Sequence, residues 1–226
     1  MTEQPIRLNK FLAERLGVSR READNLIAAG KVSVSGKVAV LGACIDKNDK
    51  VCYNGKIIPF ELGYSYVLLN KPVGYVCSKK RQGDAPTVYE LLPEEFQKLK
   101  TVGRLDKDSS GLILLTNDGD FAFQMTHPKF VKVKTYEVRL STPLMPLHQQ
   151  MIADFGIEIG DGVSKLGLTR LDDSRKFWEV EMSEGRNRQI RRTFAALGYS
   201  VVELHRKTFG KYSLGDLKPG KFLVLK

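Results

Sequence analysis

Six short apolar runs occur beyond Tyr64: SYVLLN, GLILLTN, KTYEVRL, KFWEVEM, YSVVEL and KFLVLK. Helical stretches separate some of them, around Phe121 to Met125, Pro146 to Asp154 and Asn187 to Leu197. Their spacing is irregular, with no tandem repeat and no low-complexity segment. Short strands mixed with occasional helices predict an α+β domain on a mixed, mainly antiparallel sheet. A doubly wound dinucleotide fold is not expected, because neither GxGxxG nor GxxxxGK[ST] is present. The 226 residues are 42% hydrophobic and 27% charged, which supplies enough apolar material for a core. No apolar run approaches the ~20 residues that span a bilayer. The opening MTEQPIRLNKF lacks the basic and apolar regions of a secretory leader, so a cytoplasmic protein with no membrane partner is expected.

The first sixty residues read differently. Leu8, Phe11, Leu12 and Leu16 recur at helical spacing, and Gly17 ends that helix. Ser19 followed by Glu22 gives the capping-box pattern for a second helix, whose apolar face is Ala23, Leu26 and Ile27 and whose stop is Gly30. KVSVSGKVAV alternates around Ser35-Gly36, a hairpin signal. A linker is expected from Asn54-Gly55 to Gly63, dividing a domain at 1–58 from one at 59–226.

Charge points to the class of partner. Lys and Arg number 36 against 26 Asp and Glu, a net +10. From Ser183 to Lys226 ten basic residues face three acidic ones, or +7. Such a surplus suits a polyphosphate partner. Cys44, Cys52 and Cys77 form no CxxC pair, and His127, His148 and His205 are scattered, so no metal site is expected. Trp178, in an alternating strand, is expected in the core.

One stretch is placed to carry chemistry: GRLDKDSSGLILLTNDG, Gly103 to Gly119. Arg104 and Asp106 precede a small polar turn, and an apolar strand from Leu112 to Leu115 follows. A carboxylate on a loop entering a buried strand is held rigidly by the sheet. An isolated loop aspartate more often caps a turn, and Asp108, Asp118 and Asp120 compete with Asp106 for any role.

RLNKFLAERLGVSRREADNLIAAGKVSVSGKVA resembles the small RNA-binding domain of ribosomal protein S four. That likeness implies phosphate contacts from Arg7, Lys10, Ser19, Arg20, Arg21 and Lys31. The Gly103–Gly119 string resembles the catalytic motif of the RsuA/RluB/RluE/RluF group of ribosomal RNA pseudouridine synthases, as do LNKPVGYVCS, KTYEVRL and EGRNRQIRRTFAALG in the same order. The resemblance implies a small S-four-like domain followed by a synthase domain. It implies that Asp106 is the catalytic aspartate, that Tyr136 lies on the target base and that Arg191 pairs with Asp106. A guanidinium there would favour the charged carboxylate. Ile190 would wall the base pocket and Arg104 would occupy the space left by an extruded base. Arg186, Arg188 and Arg192 would contact RNA phosphates, while Lys71-Pro72 reads as a structural turn.

The implied reaction isomerises one uridine of ribosomal RNA, with no cofactor and in a monomer. Small-subunit RNA is the expected target, with large-subunit RNA the alternative. A rival is a non-catalytic RNA-binding assembly factor on the same scaffold. Attack at the anomeric carbon, addition to uracil and removal of the ribose 2′ proton all remain open as the role of Asp106.

Overall fold

The alternation read in the sequence becomes sheet and the 3.6-residue pattern becomes helix in a computed structural model that describes residues 5–60 and 63–225. Met1 to Gln4, Glu61 and Leu62 of the expected linker, and Lys226 lie outside the described residues. The chain divides into two compact units, with the main break between Ser65 and Tyr66.

In the first unit, α1 (Leu8–Arg15) and α2 (Arg20–Ala28) pack through Leu8, Phe11, Leu12, Ala23 and Ile27. The capping box is present: Glu22 N–H donates to Ser19 Oγ at 3.1 Å, and Ser19 N–H to Glu22 Oε2 at 3.3 Å. Gly30, at φ +68°, ends α2 in a Schellman motif, with Gly30 N–H on Ile27 O and Lys31 N–H on Leu26 O. β1 (Val32–Val34) and β2 (Lys37–Val38) turn at Ser35-Gly36, where φ is +47° and +85°. Both central residues are left-handed, as a two-residue type I′ hairpin requires.

β3 (Val51–Tyr53) and β4 (Lys56–Ile57) repeat the device at Asn54-Gly55, completing a four-stranded sheet in the order β2-β1-β3-β4. The start of the expected linker is thus a hairpin turn. Phe60 stays with this unit, its ring 4.6 Å from that of Phe11.

The second unit is built on one mixed sheet. Besides two short strands at Lys100–Val102 and Tyr212–Ser213, its strands are β5 (Tyr66–Lys71), β6 (Ser110–Thr116), β7 (Lys134–Leu140), β8 (Gly167–Arg170), β9 (Phe177–Met182), β10 (Val201–Phe209) and β11 (Phe222–Leu225). They lie in the order β8-β9-β7-β10-β6-β5-β11. β7 pairs antiparallel with both β9 and β10, which sets Tyr136 opposite Val180 and Arg206, and Val138 opposite Trp178 and Leu204. Helices α3 (Gly119–Thr126), α4 (Pro146–Gln150) and α5 (Gln189–Ala195) complete the unit. Phe194 of α5, Trp178, Val138 and Val180 are fully buried in one core cluster. The fold is α+β, as expected.

β6 is buried from Gly111 to Thr116, the continuous apolar pattern of a strand covered on both faces. It runs parallel to β10, with His205 opposite Ser110 and Arg206 opposite Gly111. Gly111 holds φ +108°, and a Cβ there would fall 2.3 Å from Arg206 O and 2.5 Å from Arg206 N. Both clashes are with backbone. The strand that follows the Asp106 turn can therefore approach β10 only if this residue is glycine. Gly111→Ala is expected to lower unfolding free energy by about 3 kcal/mol or more, read by denaturant unfolding with the buried Trp178 as reporter. An unchanged midpoint would contradict this close approach.

Candidate active site

The turn that carries Asp106 is fixed mainly through its backbone. Ser109 N–H donates to Asp106 O at 3.1 Å, closing a turn over Lys107 and Asp108, and Gly74 N–H donates to Lys107 O at 2.7 Å. At the end of β5, Lys71 is wholly buried, and its Nζ donates to Ser109 O at 2.6 Å and Pro72 O at 2.9 Å. From α5, Arg191 donates Nη2 to Asp108 O at 2.8 Å and Nη1 to Val201 O at 2.7 Å. Two long cations thus grip successive carbonyls of one turn.

The carboxylates divide between two arginines. Arg188 makes a fork with Asp108, Nη1 to Oδ1 and Nη2 to Oδ2 both at 3.0 Å, and its Nη1 also reaches Asp106 Oδ2 at 3.3 Å. Arg191 Nε stands 3.3 Å from Asp108 Oδ2. The expected Arg191–Asp106 pair is therefore replaced by Arg188–Asp106 and Arg191–Asp108. The reason lies in the turn: two residues apart, Asp106 enters the cleft that Arg188 also lines, whereas the main chain at Asp108 faces Arg191. Arg188 takes this position at the start of α5 with φ +48°, a left-handed conformation that non-glycine residues seldom adopt.

The hydrogen bonds from Arg188, with the charge of Arg191, hold the Asp108 carboxyl below the usual range. Burial lowers Lys71 from its ordinary value to about 8, and Cys77, Asp106 and Asp108 draw it partly back.

Asp106 opens into a cleft of about 310 Å³. Tyr136, Ile190, Met182, Leu204 and Phe209 provide apolar walls, and Arg104, Lys134, Arg186, Arg188 and Arg206 provide positive charge. Among the described residues lining it, Asp106 is the one carboxylate. Six of the residues singled out from sequence, Asp106, Tyr136, Arg104, Ile190, Arg186 and Arg188, thus share this cleft. Tyr136 is 7% exposed, so it is at once a core residue and a wall of the cleft.

Other expectations meet competition. Arg186 donates to Asp161, Gly162, Val163 and Glu184, and Arg192 to Asn187, Ile159 and Asp161. Each expected phosphate contact is engaged within the protein, because the turn at Asp161 brings a carboxylate and free carbonyls to this end of α5.

In the first unit, Arg7, Arg20, Arg21 and Lys31 are exposed and Lys10 half-buried, while Ser19 Oγ is occupied by its cap. His205 bonds Ser110 Oγ and His148 the Tyr199 hydroxyl, and Trp178 is in the core. Among the described residues no group of three His, Cys, Asp or Glu side chains could hold a metal.

Sequence reasoning missed Arg206 and Lys134 as lining residues. Arg206 is 3% exposed, and its Nε donates to Leu112 O at 2.7 Å. The only signal was that Arg206 stands among the charged residues Glu203, Arg206 and Lys207 of the strand-like run VVELHRKTF.

The description "RNA pseudouridylate synthase" fits a model that matches residues 65–196, and an S4 domain matches residues 6–40. The chain belongs to the RNA pseudouridylate synthase family. It is 39% identical to the ribosomal small subunit pseudouridine synthase A of Pasteurella multocida (strain Pm70) over 97% of this chain and 96% of that one. Identity to the protein of the same name from Escherichia coli (strain K12) is 37%, with the same coverage. A solved structure described as a pseudouridylate synthase superposes with TM-score 0.70 at 35% identity, covering 98% of this chain and 96% of that one. The S4 domain precedes the synthase domain, and the cleft around Asp106 lies in the latter.

Lys71 gives the synthase a signature in pH. Its folded value near 8 lies below the ordinary 10.5, so the unfolded chain holds more protons between those limits. Stability attributable to this residue rises with pH across that window. In Lys71→Met, unfolding free energy plotted against pH should rise less steeply from 8 to 10.5 than in wild type. Parallel plots would contradict the burial of a charged amine behind the turn.

Proposed function

We propose that this synthase converts a specific uridine of small-subunit ribosomal RNA to pseudouridine, with Asp106 as the catalytic group. One observation carries the reading: among the described residues, a single carboxylate faces a cleft whose other lining is apolar, neutral polar or cationic. A surface meant only to hold a polyanion gains nothing from an acid at that point. The small-subunit assignment rests on the names of the relatives that match along nearly the whole chain.

The reaction breaks the bond from ribose to N1 of uracil, turns the base and forms a bond from its C5, which gives up its proton while N1 gains one, so the composition of the nucleotide is unchanged. No donor, oxidant or reductant is consumed, so the reaction needs no cofactor. Asp106 acts at the anomeric carbon, at the ring or at the ribose 2′ proton. Its place beside the permanent charge of Arg188 serves each of these routes.

A base stacked in RNA cannot reach this cleft, so the uridine is extruded at a cost of a few kcal/mol. Tyr136 and Ile190 receive its faces, and Arg104, exposed at the mouth, is positioned to fill the gap. Exposed Arg7, Arg20, Arg21 and Lys31 supply phosphate contacts that offset extrusion.

Asp106→Asn should lower the rate of pseudouridine formation in a small-subunit rRNA transcript by at least about a thousandfold, whereas Asp108→Asn should retain most of it. Chemical mapping of pseudouridine along the transcript reads both. Equal loss in the two variants would remove the special role given to Asp106. Binding of the same transcript should weaken steeply with salt, and a flat dependence would contradict the phosphate contacts.

A further inference from the structure

A second cleft of about 720 Å³ adjoins the one that holds Asp106. The two share Thr126, Lys134, Gly185 and Arg186. We propose that it binds the nucleotide next to the flipped uridine, with Lys134 holding the phosphodiester between the two. This extends the proposed activity and rests on it.

The lining is suited to a base rather than to a free anion. Met125, Pro128, Val131 and Val163 are apolar, and the imidazole of His127 adds a flat ring. Beside the cleft, Phe123 and Phe130 pack around His127, with centroids 4.6 Å and 6.4 Å from its ring. Lys129 Nζ lies 4.7 Å from the Phe130 centroid. Val131 is 64% exposed and Phe123 44%, so apolar surface stands open here in a chain of strongly positive charge. Aromatic and apolar faces among cations are how proteins hold single-stranded nucleic acid without reading its sequence.

The charges agree. Two carboxylates, Asp161 and Glu184, line this cleft, but Asp161 is paired with Arg186 and Arg192, and Glu184 with Arg186. Lys132 and Lys134 then set the sign.

Lys134 Nζ donates to Glu184 O at 2.7 Å, and an ammonium has two further donors. It stands on the boundary opposite Gly185, where a Cβ would come within 3.5 Å of it. Burial and the neighbouring Arg206 lower the Lys134 amine to about 8, against the pull of Glu184. A phosphate at this position would raise it again.

Val131→Glu tests the subsite without disturbing the core, since the side chain is exposed. Wild type is first used to map the modified uridine in a small-subunit rRNA transcript. Three fragments around that uridine follow: intact, abasic at the 5′ neighbour and abasic at the 3′ neighbour. On the intact fragment, Val131→Glu is expected to raise KM about tenfold, with the loss falling on KM rather than kcat.

One abasic fragment should raise the wild-type KM similarly and leave Val131→Glu with no further penalty. A Val131→Glu penalty that is absent, or equal on all three fragments, overturns the subsite while the activity stands. Wild type that forms no pseudouridine in the transcript overturns the activity and the subsite together.

Discussion

Two buried or half-buried cations gripping the carbonyls of one turn are the constraint on which the site depends. On the proposed reaction, a carboxylate acting on a ribose or a pyrimidine ring has to be placed to a fraction of an ångström. Here the placement is transmitted through main chain. Lys71 holds Ser109 O, Arg191 holds Asp108 O and Gly74 N–H holds Lys107 O. The Asp106 side chain is therefore positioned by its backbone while remaining one-third exposed to the cleft. The close approach of Gly111 to β10 extends the same control into the sheet, two residues beyond the turn.

The electrostatics follow from this arrangement. Four charged groups, Asp106, Asp108, Arg188 and Arg191, sit together, and their charges balance. Asp108 takes the larger share of both guanidinium groups, which neutralises it and leaves Asp106 as the carboxylate open to the cleft. Burying Lys71 with its charge is unfavourable, as its lowered pKa shows, and two short hydrogen bonds to carbonyls compensate. A buried amine at this position is consistent with a positional task.

Much of this was legible in the sequence, where local rules act alone. The Ser19 capping box, the Ser35-Gly36 hairpin, the burial of Trp178 and the α+β class follow from spacing and turn chemistry. Asp106, Arg104, Tyr136 and Ile190 fall in one cleft because the resemblance concerned whole segments, and segments carry their geometry. The choice of ion-pair partners was not legible. Two acids two residues apart face two arginines three residues apart, and the outcome depends on a turn closed by Lys71, about forty positions away. Lys71 itself read as a turn residue because its contact with Ser109 is non-local. The role of Arg206 was hidden likewise, since burial of a charge is decided by what covers it.

On the proposed reaction, backbone clamping of the turn is expected to set the rate of the chemical step. Arg191→Met addresses it most directly, because that residue holds the Asp108 carbonyl and does not line the cleft. Single-turnover pseudouridine formation would be measured at saturating enzyme on a small-subunit rRNA transcript, with RNA affinity measured in parallel. A rate lowered about a hundredfold at an affinity close to wild type is expected. A wild-type rate in this variant would contradict it.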